Sequence, residues 1–301
     1  MIQPPLVSAG APLPPPSRHA PTTDWPPWTG PVALVAGLVL AAAGGLLVDL
    51  PALAFGVNIT SSHIPPGLTI ADTTVQDVAF VLAAVIFAQM GGRAVYAWQF
   101  GLRPTRLRRA VKLMALTLGA FLLFSVIWGA LFHAEKEKLL EQLGVGQSTL
   151  LLLLSAGLTC VVAPVCEELL FRGFVFAALS NWKGPWLAAT ITGLLFGGVH
   201  VGSAPAIDLV PLAALGFGLC MVYRYTGSLY PCIAAHSLNN SLAFGSLEGW
   251  GWQIPVLMLA SLAVIALLAL TFMRLGVIST EPSPESFATG GDASLVIAPG
   301  G

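Results

Sequence analysis

The sequence predicts an all-α fold: a polytopic membrane bundle of about eight transmembrane helices with a polar site buried between them. Three observations carry that expectation. Apolar residues make up 56% of the 301-residue chain and charged residues only 9%, where a soluble domain carries roughly 25% charged residues; mean hydropathy is +0.83. Apolar runs long enough to span hydrocarbon, about 17–25 residues, recur along the chain. In the second half, carboxylate, guanidinium and imidazole groups interrupt those runs, and such groups normally face the bundle interior and one another. The net charge of −1 says nothing about nucleic acid, and no basic patch beyond one loop supports such a partner, so none is expected. Cys160, Cys166, Cys220 and Cys232 fall in apolar spans without CxxC spacing, so they read as buried thiols.

In chain order, residues 1–30 are proline-rich and poor in large apolar residues, which predicts an unfolded tail. Ala52-Leu53-Ala54 imitates a signal-peptide cleavage site, but the leading region is long and nearly uncharged. The apolar run from Pro31 to Val48 also exceeds the usual ~7–15 residues, so it reads as the first membrane helix. Helices are expected near 31–55, 75–95, 112–132, 149–176, 185–203, 207–225, 228–246 and 254–275. They divide into an N-terminal group (31–148), a core (149–247), a last helix (248–275) and a polar, glycine-rich tail (276–301). With the N-terminus inside, eleven lysines and arginines, Arg172 among them, fall at or near the cytoplasmic side, and only Lys136 and Lys138 fall outside. That asymmetry places both termini in the cytoplasm of a multi-pass protein of the plasma membrane. The stretch Arg103 to Lys112 reads as a short basic segment on anionic headgroups. Trp182, Trp186, Tyr223 and Tyr225 read as an inner aromatic belt, Trp250 and Trp252 as an outer one. Asp49, Asp77, Asp208, His63 and His133 are expected near outer helix ends, hydrated and without a role.

The polar constellation begins at Cys166-Glu167-Glu168-Leu169-Leu170-Phe171-Arg172. Each charge there costs roughly 2.5–3.5 kcal/mol at a helix centre unless paired or used. Glu168 and Arg172, four apart, share a helical face in the favourable order for an ion pair. Glu167 is turned about 100° away and has no local partner. An unpaired carboxylate sheltered from water is suited to general-base work. Downstream, Phe196-Gly197-Gly198-Val199-His200 ends one helix and His236-Ser237-Leu238-Asn239-Asn240 lies within another, with His236 and Asn240 on one face. Gly193, Gly197 and Gly198 would let a neighbouring backbone approach beside His200.

These residues resemble the three motifs of the CAAX-protease and bacteriocin-processing (abortive-infection) family of intramembrane endopeptidases. Glu-Glu-x-x-x-Arg stands at Glu167, Glu168 and Arg172, Phe-x-x-x-His at Phe196 and His200, and His-x-x-x-Asn at His236 and Asn240, in that order and within about Leu150 to Leu247. The resemblance implies catalytic roles for Glu167, His200, His236 and Asn240, with Glu168, Arg172 and Phe196 in support. It also implies a membrane-associated protein or peptide substrate, of the prenylated or the bacteriocin-related kind, beside the lipid bilayer.

Two mechanisms stay open at this point. Without a cofactor, Glu167 takes a proton from a water also held by His200, and His236 and Asn240 donate to the oxyanion. With zinc, Glu167, His200 and His236 are the ligands of a metalloendopeptidase site with one open position. A Cys166 nucleophile is disfavoured, because consecutive helical positions diverge and apolar surroundings oppose a thiolate. The non-enzymatic alternative is a membrane scaffold or bacteriocin self-immunity protein with a structural polar cluster. A transporter lacks the expected paired halves. One geometric tension remains: with straight helices His200 lies about 21 Å above Trp186, whereas Glu167 lies close to an interface placed at Arg172. Either residues 180–186 dip into the membrane or the helix ends differ from those above.

Overall fold

Long apolar helices dominate because backbone groups in hydrocarbon must be satisfied within their own segment. The computed structural model describes residues 23–59, 64–92, 95–132 and 139–275. Its principal helices are α1 (Thr29–Ala54), α2 (Pro66–Ala88), α3 (Leu107–Phe132), α4 (Thr149–Lys183), α5 (Pro185–Gly198), α6 (Leu209–Thr226), α7 (Tyr230–Leu247) and α8 (Gln253–Arg274). The protein is an all-α polytopic bundle. Among the described residues six helices are long and apolar enough to cross a membrane, all but α5 and α7. Helix α5, with 14 residues, rises only about 21 Å and stops partway across a core of about 30 Å.

Helix starts follow local chemistry. Proline opens α2 at Pro66 and α5 at Pro185, and Pro231 stands in the first turn of α7, positions where its missing N–H costs nothing. Ser148 caps α4 by accepting from the Leu151 N–H at 3.2 Å. Gly184, at φ 83°, turns the chain directly from α4 into α5.

Several boundaries differ from expectation. Helix α2 begins nine residues before 75, because Pro66 starts the helix ahead of the purely apolar stretch. Helix α4 runs to Lys183 rather than 176, and α5 ends at Gly198 rather than 203. The residues from Leu107 onward belong to α3. The part of the basic segment before them is tied to the α6–α7 turn: Arg103 Nε donates to the Gly227 carbonyl at 2.7 Å, Thr105 Oγ1 to Thr226 at 2.8 Å, and Ser228 Oγ to the Arg103 carbonyl at 2.6 Å. Trp25, within the stretch read as tail, is buried against Phe100 and Phe174, and Asn181 Nδ2 holds its carbonyl at 2.9 Å. Tyr223 is fully buried and stacks edge-on to Phe176, so it is no part of an interfacial belt. His63, His133, Lys136 and Lys138 lie outside the described residues.

Helix α4 is the axis of the bundle and packs against α1, α2, α5, α6, α7 and α8. Around it Phe171, Phe174, Phe176, Phe196, Leu215 and Leu219 form a buried core. Helices α5 and α6 meet through glycine: a Cβ on Gly193 would stand 2.7 Å from the Ala213 carbonyl oxygen, and one on Gly197 2.5 Å from that of Leu209. The expected role of Gly193 and Gly197 is met. Gly198 faces open space and has none of this kind.

Candidate active site

Pro164 sets the local geometry of α4. It has no N–H, so the Cys160 carbonyl one turn earlier loses its usual helical partner. The helix widens there to i→i+5 spacing over Leu158–Val162, returns to α geometry over Ala163–Glu168, and widens again over Leu169–Phe176. Side chains of α7 take up carbonyls of the first wide turn: Ser237 Oγ donates to Cys160 at 2.6 Å and Asn240 Nδ2 to Thr159 at 2.9 Å. One proline thereby joins the helix carrying Glu167 and Glu168 to the helix carrying His236.

The charged pair forms as the spacing predicts. Arg172 Nη1 donates to Glu168 Oε1 at 2.6 Å, with both side chains fully buried. The same oxygen receives His236 Nδ1 at 2.8 Å. Arg172 Nη2 reaches the Gly216 carbonyl at 3.2 Å, and its guanidinium sits 4.5 Å from the Phe196 ring centroid. Phe196 thus has a physical role that its motif position alone did not disclose. It presents a π face to the buried cation and packs against both imidazoles, at 5.0 Å from His200 and 5.5 Å from His236.

Hydrogen bonding sorts the ring nitrogens. Glu168 can only accept, so His236 carries a proton on Nδ1, and its Nε2 lies 3.9 Å from Glu167 Oε2. His200 Nδ1 is 2.7 Å from the Phe196 carbonyl, another pure acceptor, which leaves the His200 Nε2 lone pair bare. Glu167 is 8% exposed, and its Oε2 has no hydrogen-bond partner among the described residues. Glu167, His200, His236 and Asn240 all line one cavity of about 760 Å³, together with Thr73, Gln76 and Phe80 of α2 and Phe121, Ser125 and Trp128 of α3. Cys166 is not among the lining residues.

The expected mismatch in depth disappears because α4 ends at Lys183, beside the start of α5. Counted from there, Glu167 is 16 residues up one helix and His200 is 14 residues up from Trp186 on the other, about 24 and 21 Å. Arg172, assigned to the cytoplasmic side by charge asymmetry, is instead buried in mid-bundle. A second correction concerns Asp77. It lies at the middle of α2 and is fully buried, rather than hydrated at an outer end. An aspartate inside an apolar run was the available signal, obscured by a helix boundary set nine residues late. Among the described residues no three His, Cys, Asp or Glu side chains are grouped closely enough to hold a metal ion.

Comparison with known proteins bears on this same segment. Residues 149–242 match the family model described as type II CAAX prenyl endopeptidase Rce1-like. That segment, which holds all three motifs, is similar to the Rce1-like family. Over 81 residues the chain is 32% identical to a Bacillus subtilis protein named "Putative membrane peptidase YdiL", covering 27% of this chain and 32% of that protein. A Lactococcus lactis protein named UPF0177 protein YxdF is 32% identical over 80 residues, 27% of this chain and 42% of its own length. A Mycoplasma capricolum protein with no functional name is 30% identical over 87 residues, 29% of this chain and 25% of that protein. The matches therefore span a quarter to two fifths of the relatives. No solved structure matches the chain significantly. The matched segment contains Glu167, Glu168, Arg172, Phe196, His200, His236 and Asn240, whereas Asp77 and the α2 and α3 walls of the cavity come from outside it.

Proposed function

We propose that this protein is an intramembrane endopeptidase that hydrolyses peptide bonds of membrane-associated substrates, with Glu167 as general base. The observation that carries the proposal is the convergence of Glu167, His200, His236 and Asn240, from three parts of the matched segment, on one cavity. At about 760 Å³ its volume lies within the roughly 300–1,000 Å³ range of ligand pockets.

Glu167 and the bare Nε2 of His200 both accept, so a water between them donates both its protons and turns a lone pair toward a substrate carbonyl. Glu167 takes one proton as the oxygen attacks and gives it to the amine nitrogen as the C–N bond breaks. His236, fixed through Nδ1 by Glu168, donates from Nε2 to the oxyanion when that nitrogen carries a proton. Asn240 offers the amide N–H not used by Thr159. Each well-placed donor contributes about 2.7–4 kcal/mol to the transition state in other proteases. Glu168, Arg172 and Phe196 hold His236 in place. The mechanism uses no metal. The described basic residues Arg106, Arg108, Arg109, Lys112, Lys183, Arg224 and Arg274 lie at the start of α3 and the ends of α4, α6 and α8, ends that share one face when successive helices alternate. On that basis both termini lie on the cytoplasmic side of the cell membrane.

The test is cleavage of a panel of lipidated and unlipidated membrane peptides by purified protein, with and without a chelator. Wild type cleaves at least one peptide, chelation leaves the rate unchanged, and Glu167→Gln abolishes cleavage without altering the melting profile. Normal turnover by Glu167→Gln rejects Glu167 as base. Loss on chelation with recovery by zinc replaces the water mechanism with the metal one, and no cleavage of any peptide favours the scaffold or immunity alternative.

A further inference from the structure

A peptide bond inside a membrane is open to attack only where the substrate has left its helix. Each residue that unwinds frees an N–H and a C=O that hydrocarbon cannot satisfy. The site must therefore offer the substrate main chain partners beyond Glu167, His200, His236 and Asn240, which act at the scissile bond itself. Helices α2 and α3, which carry none of the motifs, supply such groups. Helix α2 packs on α1 and α4, and α3 on α6 and α7, so the two line the cavity as separately held walls. Their polar lining residues are Thr73 and Gln76 on α2, and Ser125 and Trp128 on α3.

Two of the four have their donors committed: Thr73 Oγ1 donates to the Thr69 carbonyl at 2.8 Å, and Trp128 Nε1 to the Ile207 carbonyl at 2.9 Å. Ser125 Oγ is shielded from solvent yet has no hydrogen-bond partner among the described residues. It does not make the bond to the carbonyl four residues earlier that Thr159, Thr226 and Thr271 make. Gln76, half-buried near the middle of α2, likewise has no side-chain hydrogen bond among the described residues. A purely structural use would close these bonds within the bundle, as Ser237 and Asn240 do on α4. An amide brings an acceptor oxygen and two N–H donors, and a hydroxyl one donor and two lone pairs. That is the complement of an extended peptide chain.

We propose that Gln76 and Ser125 bind the unwound substrate main chain beside the scissile bond. The Gln76 amide pairs with an N–H and a C=O of one stretch, and the Ser125 hydroxyl donates to a carbonyl elsewhere along it. The substrate class is then a membrane segment that unwinds readily, read through its backbone rather than through a lipid or a particular side chain. Both residues precede the matched segment 149–242. The role rests on the peptidase function proposed above.

The test uses the full-length protein in nanodiscs and the dansyl-labelled panel peptide that binds tightest, with analogues in which one backbone amide at a time is an ester. An ester lacks the N–H and is a weaker carbonyl acceptor. Binding is measured in a Glu167→Gln background, so that no peptide is consumed. Gln76→Met and Ser125→Ala are each expected to weaken binding of the unmodified peptide by about 5–100-fold, the cost of leaving a buried peptide group unpartnered. At one or two ester positions the background protein loses a comparable factor, and the matching variant loses nothing further. Unchanged affinity in either variant overturns that residue's role. So does a uniform loss in which every ester costs the variant what it costs the background, because a residue that only supports the fold weakens all analogues alike. The comparison is made within each variant and therefore holds even where its melting profile shifts. Cleavage is read separately on wild type. If no peptide is cleaved, the peptidase function fails while the ester scan still decides main-chain binding; if none binds either, both fail.

Discussion

Replacing Arg172 by methionine removes the cation from the most buried ionic group in the protein. The change deletes the 2.6 Å bond to Glu168 and the 3.2 Å bond to the Gly216 carbonyl. It also deletes the contact at 4.5 Å with the Phe196 ring. Glu168 is left fully buried with only His236 as a partner. Breaking a buried pair from one side costs about 3–5 kcal/mol, because the remaining charge has lost its compensation. The lost cation–π contact adds up to about 2 kcal/mol. Adding Glu168→Gln removes the orphaned charge, so the double variant recovers most of that loss. The proposed peptidase activity is expected to stay low all the same, because a neutral amide holds His236 less firmly than a carboxylate does. Denaturant unfolding in mixed micelles, monitored by tryptophan fluorescence, measures stability; the peptide panel measures activity. A cost below about 1 kcal/mol for Arg172→Met, the level of a surface pair, would refute the account of the cluster, as would a double variant no more stable than the single one.

Two further outcomes follow from packing on either side of the site. Gly197→Ala places a Cβ 2.5 Å from the Leu209 carbonyl oxygen, a backbone atom that cannot swing away. The variant is expected to lose about 1–3 kcal/mol in the same unfolding assay, whereas Gly198→Ala, facing open space, loses much less. Ser237→Ala strips the donor from the Cys160 carbonyl that Pro164 leaves without its helical N–H. It should cost about 1–3 kcal/mol and speed amide exchange around Leu158–Val162 by hydrogen-exchange mass spectrometry.

Helix α5 and the Glu168–Arg172 pair show how much local pattern can disclose. Small residues at Gly193 and Gly197 announced a close helix contact, and four-residue spacing announced the ion pair; both depend only on the geometry of one helix. Asp77 and Phe196 show the opposite. Whether an aspartate in an apolar run is hydrated or buried depends on which helix covers it and where that helix begins. A phenylalanine's use as the π partner of a guanidinium depends on a contact between α4 and α5. The depth of Glu167 was misjudged for a related reason: the end of α4 is set by Gly184 and the docking of α5, not by where the apolar residues stop.

Composition and run length were enough to dictate an all-α membrane bundle, since continuous apolar runs of this length satisfy their backbone in hydrocarbon as helices rather than as alternating barrel strands, and the order of three motifs was enough to name the candidate residues. Neither could place those residues against one another. The three-dimensional packing did that, by letting a proline widen α4 at the point where α7 supplies donors, by halting α5 partway across, and by burying Asp77 of α2 inside the bundle. Contacts between helices distant in sequence carry no local periodicity, so these decisions belong to the tertiary structure alone.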